Sequence, residues 1–229
     1  NTFNGTTDIQ LIIKDIHSDA LKEEEKSKLK IYDHRKKTDI YKQVDDYIKN
    51  SKLGISVFAE DRKIQEELKP YENITKCIIN RNTAQKNDVL MFFDYPCSSE
   101  IYEKIKTSLC ASSIHYMNYK IYRADENYLL KSFAGMLKYC EKNQNGNFIL
   151  QRGAAALGLT EEIIETMLDI FGDAKIIKIT HRGQDSYKIE ESENTIITEN
   201  IKNSVKYEEF IELLNTVNEY KNDFMKIEL

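Results

Sequence analysis

Val89-Leu90-Met91-Phe92-Phe93, followed at once by Asp94-Tyr95-Pro96, is the stretch on which the fold turns. Unbroken apolar residues that stop at a turn signal describe a strand buried on both faces, where a strand with one wet face would alternate. Working outward, similar short runs recur at Leu29 to Tyr32, Ile55 to Phe58, Cys77 to Ile79 and Ile114 to Tyr116. Helical stretches separate them near Asp39 to Lys49, Asp61 to Leu68 and Ser99 to Leu109, the last with Ser98 placed to cap it.

Strand-helix-strand succession of this length calls for right-handed crossovers and a mostly parallel, doubly wound sheet. Residues 17–123 are therefore expected to form a Rossmann-like α/β domain. Such a domain invites a nucleotide, but neither G-x-G-x-x-G nor G-x-x-x-x-G-K-[ST] occurs in the chain. The strand ends read Tyr32-Asp33-His34-Arg35, Ala59-Glu60-Asp61 and Asp94-Tyr95-Pro96, which place carboxylates where a pyrophosphate would need glycine and positive potential. Nucleotide binding of the usual kind is not expected.

From Glu126 the pattern becomes helical. Leu129, Leu130, Phe133, Met136, Leu137 and Cys140 fall on one face, and the turn-rich Asn143 to Asn147 ends the run. A second helical segment covers Ile149 to Leu157. Gly158-Leu159-Thr160 then leads into a third, with Thr160 as N-cap, Glu161 and Glu162 in the first turn, and an apolar stripe from Ile163 to Phe171. Two short strands, Lys175 to Thr180 and Ser186 to Ile189, flank Arg182-Gly183-Gln184-Asp185. Helix, helix-turn-helix and hairpin is the order of a winged helix, expected over residues 124–195. The helix that would enter DNA carries Glu161, Glu162, Glu165 and Asp169 without a single Lys or Arg, which disfavours groove binding and favours packing on protein. Residues 196–229 are expected to form a C-terminal helical tail, with Tyr207, Phe210, Ile211, Leu214, Val217 and Tyr220 near helical spacing.

Composition narrows the class. The chain has 229 residues, 41% hydrophobic and 31% charged, with 2 Pro and 8 Gly, as an ordered globular protein requires. Lys and Arg number 33 against 38 Asp and Glu, so the net charge of −5 argues against a module that coats nucleic acid, while leaving room for a local basic patch. No apolar run approaches the ~20 residues that span a bilayer. Cys77, Cys97, Cys110 and Cys140 lack zinc-site spacing and a small-scaffold context, so reduced thiols and a cytoplasmic location are expected. The chain opens at Asn1 without Met or a signal sequence and reads as a piece of a longer protein.

Few residues carry candidate chemistry. Asp33-His34 is a tempting metal pair, but His17, His34, His115 and His181 are scattered over different elements. Cys97, Ser98, Ser99 and Cys110 have no His-plus-acid relay. Arg35-Lys36-Lys37 is the densest basic cluster and is a candidate contact for a phosphate backbone.

The opening stretch adds a resemblance. Ile9, Leu11 and Ile13 alternate with Gln10, Ile12 and Lys14 after an Asn4-Gly5 turn signal, as in the end of a sheet. Asn1 to Gly5 followed by Gln10-Leu11-Ile12-Ile13-Lys14-Asp15-Ile16 resembles the close of the OB domain in RecJ, the single-strand-specific DNA exonuclease family, in its long form from low-GC Gram-positive bacteria. Ile31 to Arg35, Asp94-Tyr95-Pro96, Gly158-Leu159-Thr160 and Tyr207 to Phe210 look like the C-terminal domain of those proteins, more loosely. The resemblance implies that residues 1–16 are the last strands of a truncated OB domain, with Gln10 and Lys14 facing DNA. It implies that the whole chain is a non-catalytic C-terminal accessory module. The family digests single-stranded DNA from the 5′ end with Mn or Mg in DHH and DHHA1 domains. Asp33-His34-Arg35 is not a DHH, and no metal ligand carries over. Single-strand-binding protein is the implied partner, single-stranded DNA is reached through the parent protein, and the chain is expected to be monomeric.

Three functions follow as expectations. The first is the accessory module, serving protein docking or DNA positioning in repair and recombination. The second is a sequence-nonspecific single-stranded nucleic-acid-binding module using Arg35, Lys36 and Lys37 with stacking tyrosines. The third is a stand-alone Rossmann-type transferase, which the missing glycine loop disfavours.

Overall fold

Strands that are apolar on both faces need a helical layer on each, and the chain supplies both. The computed structural model describes residues 2–3, 6–7, 29–117, 120–191 and 198–226. Lys30–Asp33 (β3), Ile55–Phe58 (β4), Ile78–Ile79 (β5), Val89–Phe92 (β6) and Ser113–Tyr116 (β7) form one all-parallel sheet in the order β3-β7-β6-β4-β5. This is the expected Rossmann-like α/β arrangement. Ahead of it, Thr2–Phe3 (β1) pairs antiparallel with Thr6–Thr7 (β2). Most of the expected OB remnant, including Gln10 and Lys14, lies outside the described residues.

Pleat periodicity sorts the core into two layers. Ile55, Val57, Val89 and Met91 pack with Tyr41–Asn50 (α1), Arg62–Leu68 (α2) and Glu72–Lys76 (α3). Phe58, Leu90, Phe92, Ile114 and Tyr116 point the other way, onto Ile105 and Leu109 of Ser99–Leu109 (α4). Short α3 went unexpected in the sequence because its five residues carry no period. It is held from outside itself: Asp45 on α1 accepts from the backbone N–H groups of Asn73 (2.8 Å) and Ile74 (3.0 Å), doing the work of an N-cap.

The second unit has the order and pairing of a winged helix. Glu126–Asn143 (α5) leads into Asn147–Ile149 (β8), then Leu150–Leu157 (α6), Glu161–Asp173 (α7) and the wing strands Ile177–Arg182 (β9) and Ser186–Glu191 (β10). Strand β8 pairs with β10, giving the antiparallel order β8-β10-β9. Its three residues were hidden in the sequence at the junction of two helices. Gly146, at φ +73°, makes the turn into β8, where any side chain would run into the Ile189 carbonyl. Phe133 sits at the centre of this core, edge-on to Phe148 (5.7 Å between ring centroids) and Phe171 (5.2 Å).

After Thr198–Lys202 (α8), Tyr207–Lys226 (α9) is the expected C-terminal helix, and it packs on both units. Phe210, Leu214 and Val217 belong to the winged-helix core, whereas Phe224 belongs to the sheet core. There the Phe224 ring meets Tyr95 (4.7 Å), Tyr102 (5.0 Å) and Tyr116 (5.9 Å). No helix among the described residues is long and apolar enough to cross a membrane. Because Phe224 is the ring by which α9 grips the sheet, Phe224→Ala is expected to destabilise the chain by about 3–5 kcal/mol, measured as a lowered urea midpoint with the slope unchanged.

Candidate functional site

In an open parallel sheet the ligand crevice lies at the carboxyl ends of the strands, where the strand order reverses. Here the chain leaves β4 toward β5 and leaves β6 toward β7, so that point lies between the ends of β4 and β6. The residues there are Glu60, Asp61 and Asp94. The carboxylates that looked repulsive to a phosphate are partnered from within. Glu60 accepts from Arg81 through its backbone N–H (2.8 Å), its Nε (2.9 Å) and its Nη2. Arg81 Nη1 donates onward to the Leu159 carbonyl (2.8 Å) on the winged-helix side. Asp94 Oδ1 faces Lys221 Nζ of α9 at 3.2 Å, and its Oδ2 accepts the Asp61 backbone N–H at 2.7 Å.

All four charged side chains are out of water: Glu60 is 2% exposed, Arg81 7%, Asp94 4% and Lys221 6%. Burial acts to lower the Lys221 pKa, but the facing Asp94 and Asp61 carboxylates outweigh it and hold the ammonium above its ordinary value. Burial and the Asp94 charge push Asp61 up, against the backbone N–H groups of Lys63 and Ile64 that it caps. Gly158, at φ +64°, closes α6 and lays its backbone over Glu60. The crevice is thus largely occupied by the chain's own winged-helix unit and terminal helix, which leave a cavity of about 40 Å³ beside Asp61, Leu159 and Lys221.

The expected basic cluster divides. Arg35 is a structural residue: Nε and Nη2 fork onto Asp33 at 2.9 and 2.7 Å, and Nη1 reaches the α9 carbonyls of Phe224 (3.0 Å) and Met225 (3.2 Å). Its guanidinium therefore caps the C-terminus of α9, and it holds the Asp33 carboxyl down at about 2. Lys36 and Lys37 remain exposed on the turn. Asp33 and His34 do not converge on a metal. Asp33 turns to Arg35, while His34 Nε2 lies 3.3 Å from His115 Nδ1. Among the described residues no group of three or more His, Cys, Asp or Glu side chains is placed to hold a metal ion. All four cysteines are free thiols, and burial pushes Cys97 up, beside Arg81 Nη2 at 3.5 Å.

The acidic winged-helix element is turned inward. Ile163, Ile164, Met167, Leu168, Ile170 and Phe171 of α7 are buried. On its outer side, Glu165 accepts from the Tyr187 hydroxyl and Asp169 pairs with Arg182, tying the helix to the wing. Among the concavities that the sequence could not reveal, because each is assembled from distant segments, two carry candidate binding chemistry, while a third of about 540 Å³ lies between the end of α7 and the α8–α9 turn. One is a groove of about 800 Å³ between the Asn80–Thr83 turn and α6, with Lys104, Gln151 and Arg152 exposed on its walls. Its lining holds no Asp or Glu. The other is a cavity of about 230 Å³ between α1 and the β3-β7 edge, lined by His34, Lys37, His115 and Tyr47 over apolar side chains.

Two outcomes test this geometry. Lys221→Met, which leaves Asp94 buried without its cation, is expected to destabilise by about 3–5 kcal/mol, and adding Asp94→Asn should recover more than half of that in a double-mutant cycle. The second concerns the histidines. Burial lowers His115 to about 4, the His34 ring adding to the effect, and burial lowers His34 as well. The unfolded chain then binds more protons than the folded one between the ordinary value of 6.5 and about 4. Stability is full above that window and falls as the pH drops through it. Between pH 7 and pH 5 the wild-type chain should lose on the order of 1 kcal/mol of stability that His115→Gln does not lose, as read by urea unfolding at the two pH values.

Compared with family models, with curated proteins and with solved structures, the chain matches none.

Proposed function

We propose that the chain is a non-catalytic C-terminal accessory module of a RecJ-like 5′-3′ single-stranded DNA exonuclease, acting in the cytoplasm in DNA repair and recombination and serving to dock a protein partner. The observation that carries this reading is the crevice occupied from within. At the position where an α/β sheet of this kind ordinarily receives a substrate, Arg81 and Lys221 fasten the winged-helix unit and α9 onto Glu60 and Asp94. The molecule spends its most favourable ligand site on internal cohesion and presents its outer surfaces instead. The sequence motif from Asn1 to Ile16 supports the family. In this reading the Mn or Mg ions belong to domains outside this chain.

The docking surface is the groove between the Asn80–Thr83 turn and α6. Lys104 and Arg152 offer two cations, Ile149, Ala155 and Ala156 offer apolar contact, and the amides of Asn80, Asn82 and Gln151 offer hydrogen bonds. That chemistry suits an extended acidic peptide ending in apolar residues, such as the tail of single-strand-binding protein. A fluorescently labelled tail peptide is expected to bind the chain, and Lys104→Glu with Arg152→Glu to weaken it by about tenfold or more. No binding, or binding indifferent to those two charges, removes the docking reading. Digestion of single-stranded DNA by the purified chain with manganese removes the non-catalytic one.

A further inference from the structure

The crossover from β3 to β4 skips two strands of the sheet, and among the described residues part of one face has no helix over it. Helix α1 packs beside α3 over β4 and β6. On the same face of the pleat, the residues in register across β6, β7 and β3 are Met91, His115 and Tyr32. Met91 is buried under α1, but no described helix covers the other two. Tyr32 is 42% exposed, and its ring stacks on His115 with centroids 4.5 Å apart and planes 21° from parallel. His34, just past the end of β3, continues the stack at 5.5 Å from His115. The three rings make a ladder of near-parallel aromatic planes at the rim of a cavity.

The opposite wall comes from α1 and the turn before it. Ile40, Gln43, Val44 and Tyr47 follow one helical face, and Met91 and Met117 form the floor. The cavity, about 230 Å³, is smaller than the ~300–1,000 Å³ of sites for drug-sized ligands and suits one planar heterocycle. Its polar groups are few: the Gln43 amide, the Tyr47 hydroxyl and two imidazoles that burial keeps neutral. Lys37 lines the mouth and Lys36 is exposed next to it on the same turn, while the one carboxylate of the β3 end, Asp33, is held by Arg35. An apolar slot with ring walls, an amide inside and two cations outside is complementary to a base joined to a phosphate.

We infer that this pocket binds one unpaired nucleotide, its base against the His115, His34 and Tyr47 rings and its phosphates on Lys36 and Lys37. A free nucleotide and a nucleotide within a single strand share that chemistry. The pocket lies apart from the Lys104–Arg152 groove in its residues, so this inference does not rest on the docking reading above.

The chain has no tryptophan, so a 2-aminopurine base can be followed without interference from the protein. An oligothymidylate carrying one 2-aminopurine, titrated with the 229-residue chain at low salt, is expected to bind with quenched fluorescence as the base stacks. Tyr47 is 46% exposed, so Tyr47→Ala leaves the core intact, and it should weaken binding by about 5- to 100-fold and abolish the quenching. Lys36→Gln with Lys37→Gln should lower the slope of log affinity against log salt by about 1.4 and leave the quenching in the bound state. Lys104→Glu with Arg152→Glu should change neither. Competition by 2-aminopurine riboside monophosphate at similar affinity assigns the pocket to free nucleotides, and failure to compete assigns it to strands. Absence of binding, quenching that survives Tyr47→Ala, or full displacement by poly-glutamate with Tyr47→Ala unaffected would each overturn the inference.

Discussion

A lysine ammonium and a carboxylate facing each other at 3.2 Å out of water, Lys221 and Asp94, set the terms for the rest of the molecule. A buried pair of this kind repays the loss of hydration only when its geometry is held and its remaining polar atoms are satisfied. Asp94 meets that condition by also accepting the Asp61 N–H, and the neighbouring Glu60–Arg81 fork meets it by reaching the Leu159 carbonyl. Each pair joins the end of a sheet strand to something outside the sheet. Lifting α9 away would strand the Asp94 charge, and lifting the winged-helix unit away would take the Leu159 carbonyl from Arg81.

The same arrangement explains why the useful surfaces lie elsewhere. With the strand ends largely closed, the concavities that carry candidate binding chemistry lie where two layers fail to meet. The groove beside α6 lies where the Asn80–Thr83 turn approaches the winged-helix unit, with Asn82 Nδ2 bridging to the Gln151 carbonyl at 3.0 Å. The pocket beside α1 lies where the crossover that skips two strands leaves the β3-β7 edge without a helix among the described residues. Topology created both places, and the side chains that line them give them their different chemistry.

Much of the architecture could be read from residue patterns. All five parallel strands announced themselves as short apolar runs, and the caps Ser98 and Thr160 marked the starts of α4 and α7. What stayed hidden was held by contacts distant in sequence. Short β8 becomes a strand only because β10 pairs with it, and α3 only because Asp45 caps it from another helix. Arg35 looked like a phosphate contact because a run of three cations carries no sign of which one will turn inward. The Asp94–Lys221 pair spans 127 residues, yet one signal was present. Phe210, Leu214, Val217, Lys221 and Phe224 share the spacing of a single helical stripe, and a lysine in an apolar stripe needs a buried partner.

The path of α9 also bears on how the protein is made. Chains emerge from the ribosome N-terminus first, and domains begin folding as they emerge, at about 5–20 residues per second. The sheet strands are complete once Tyr116 has appeared, but the cation that neutralises Asp94 and the ring that fills the space between Tyr95 and Tyr116 arrive only with residues 221 and 224. At that rate the groups that close the cleft follow the last sheet strand out of the ribosome by several seconds. The turns of α9 that carry Lys221 and Phe224 are the latch on that cleft.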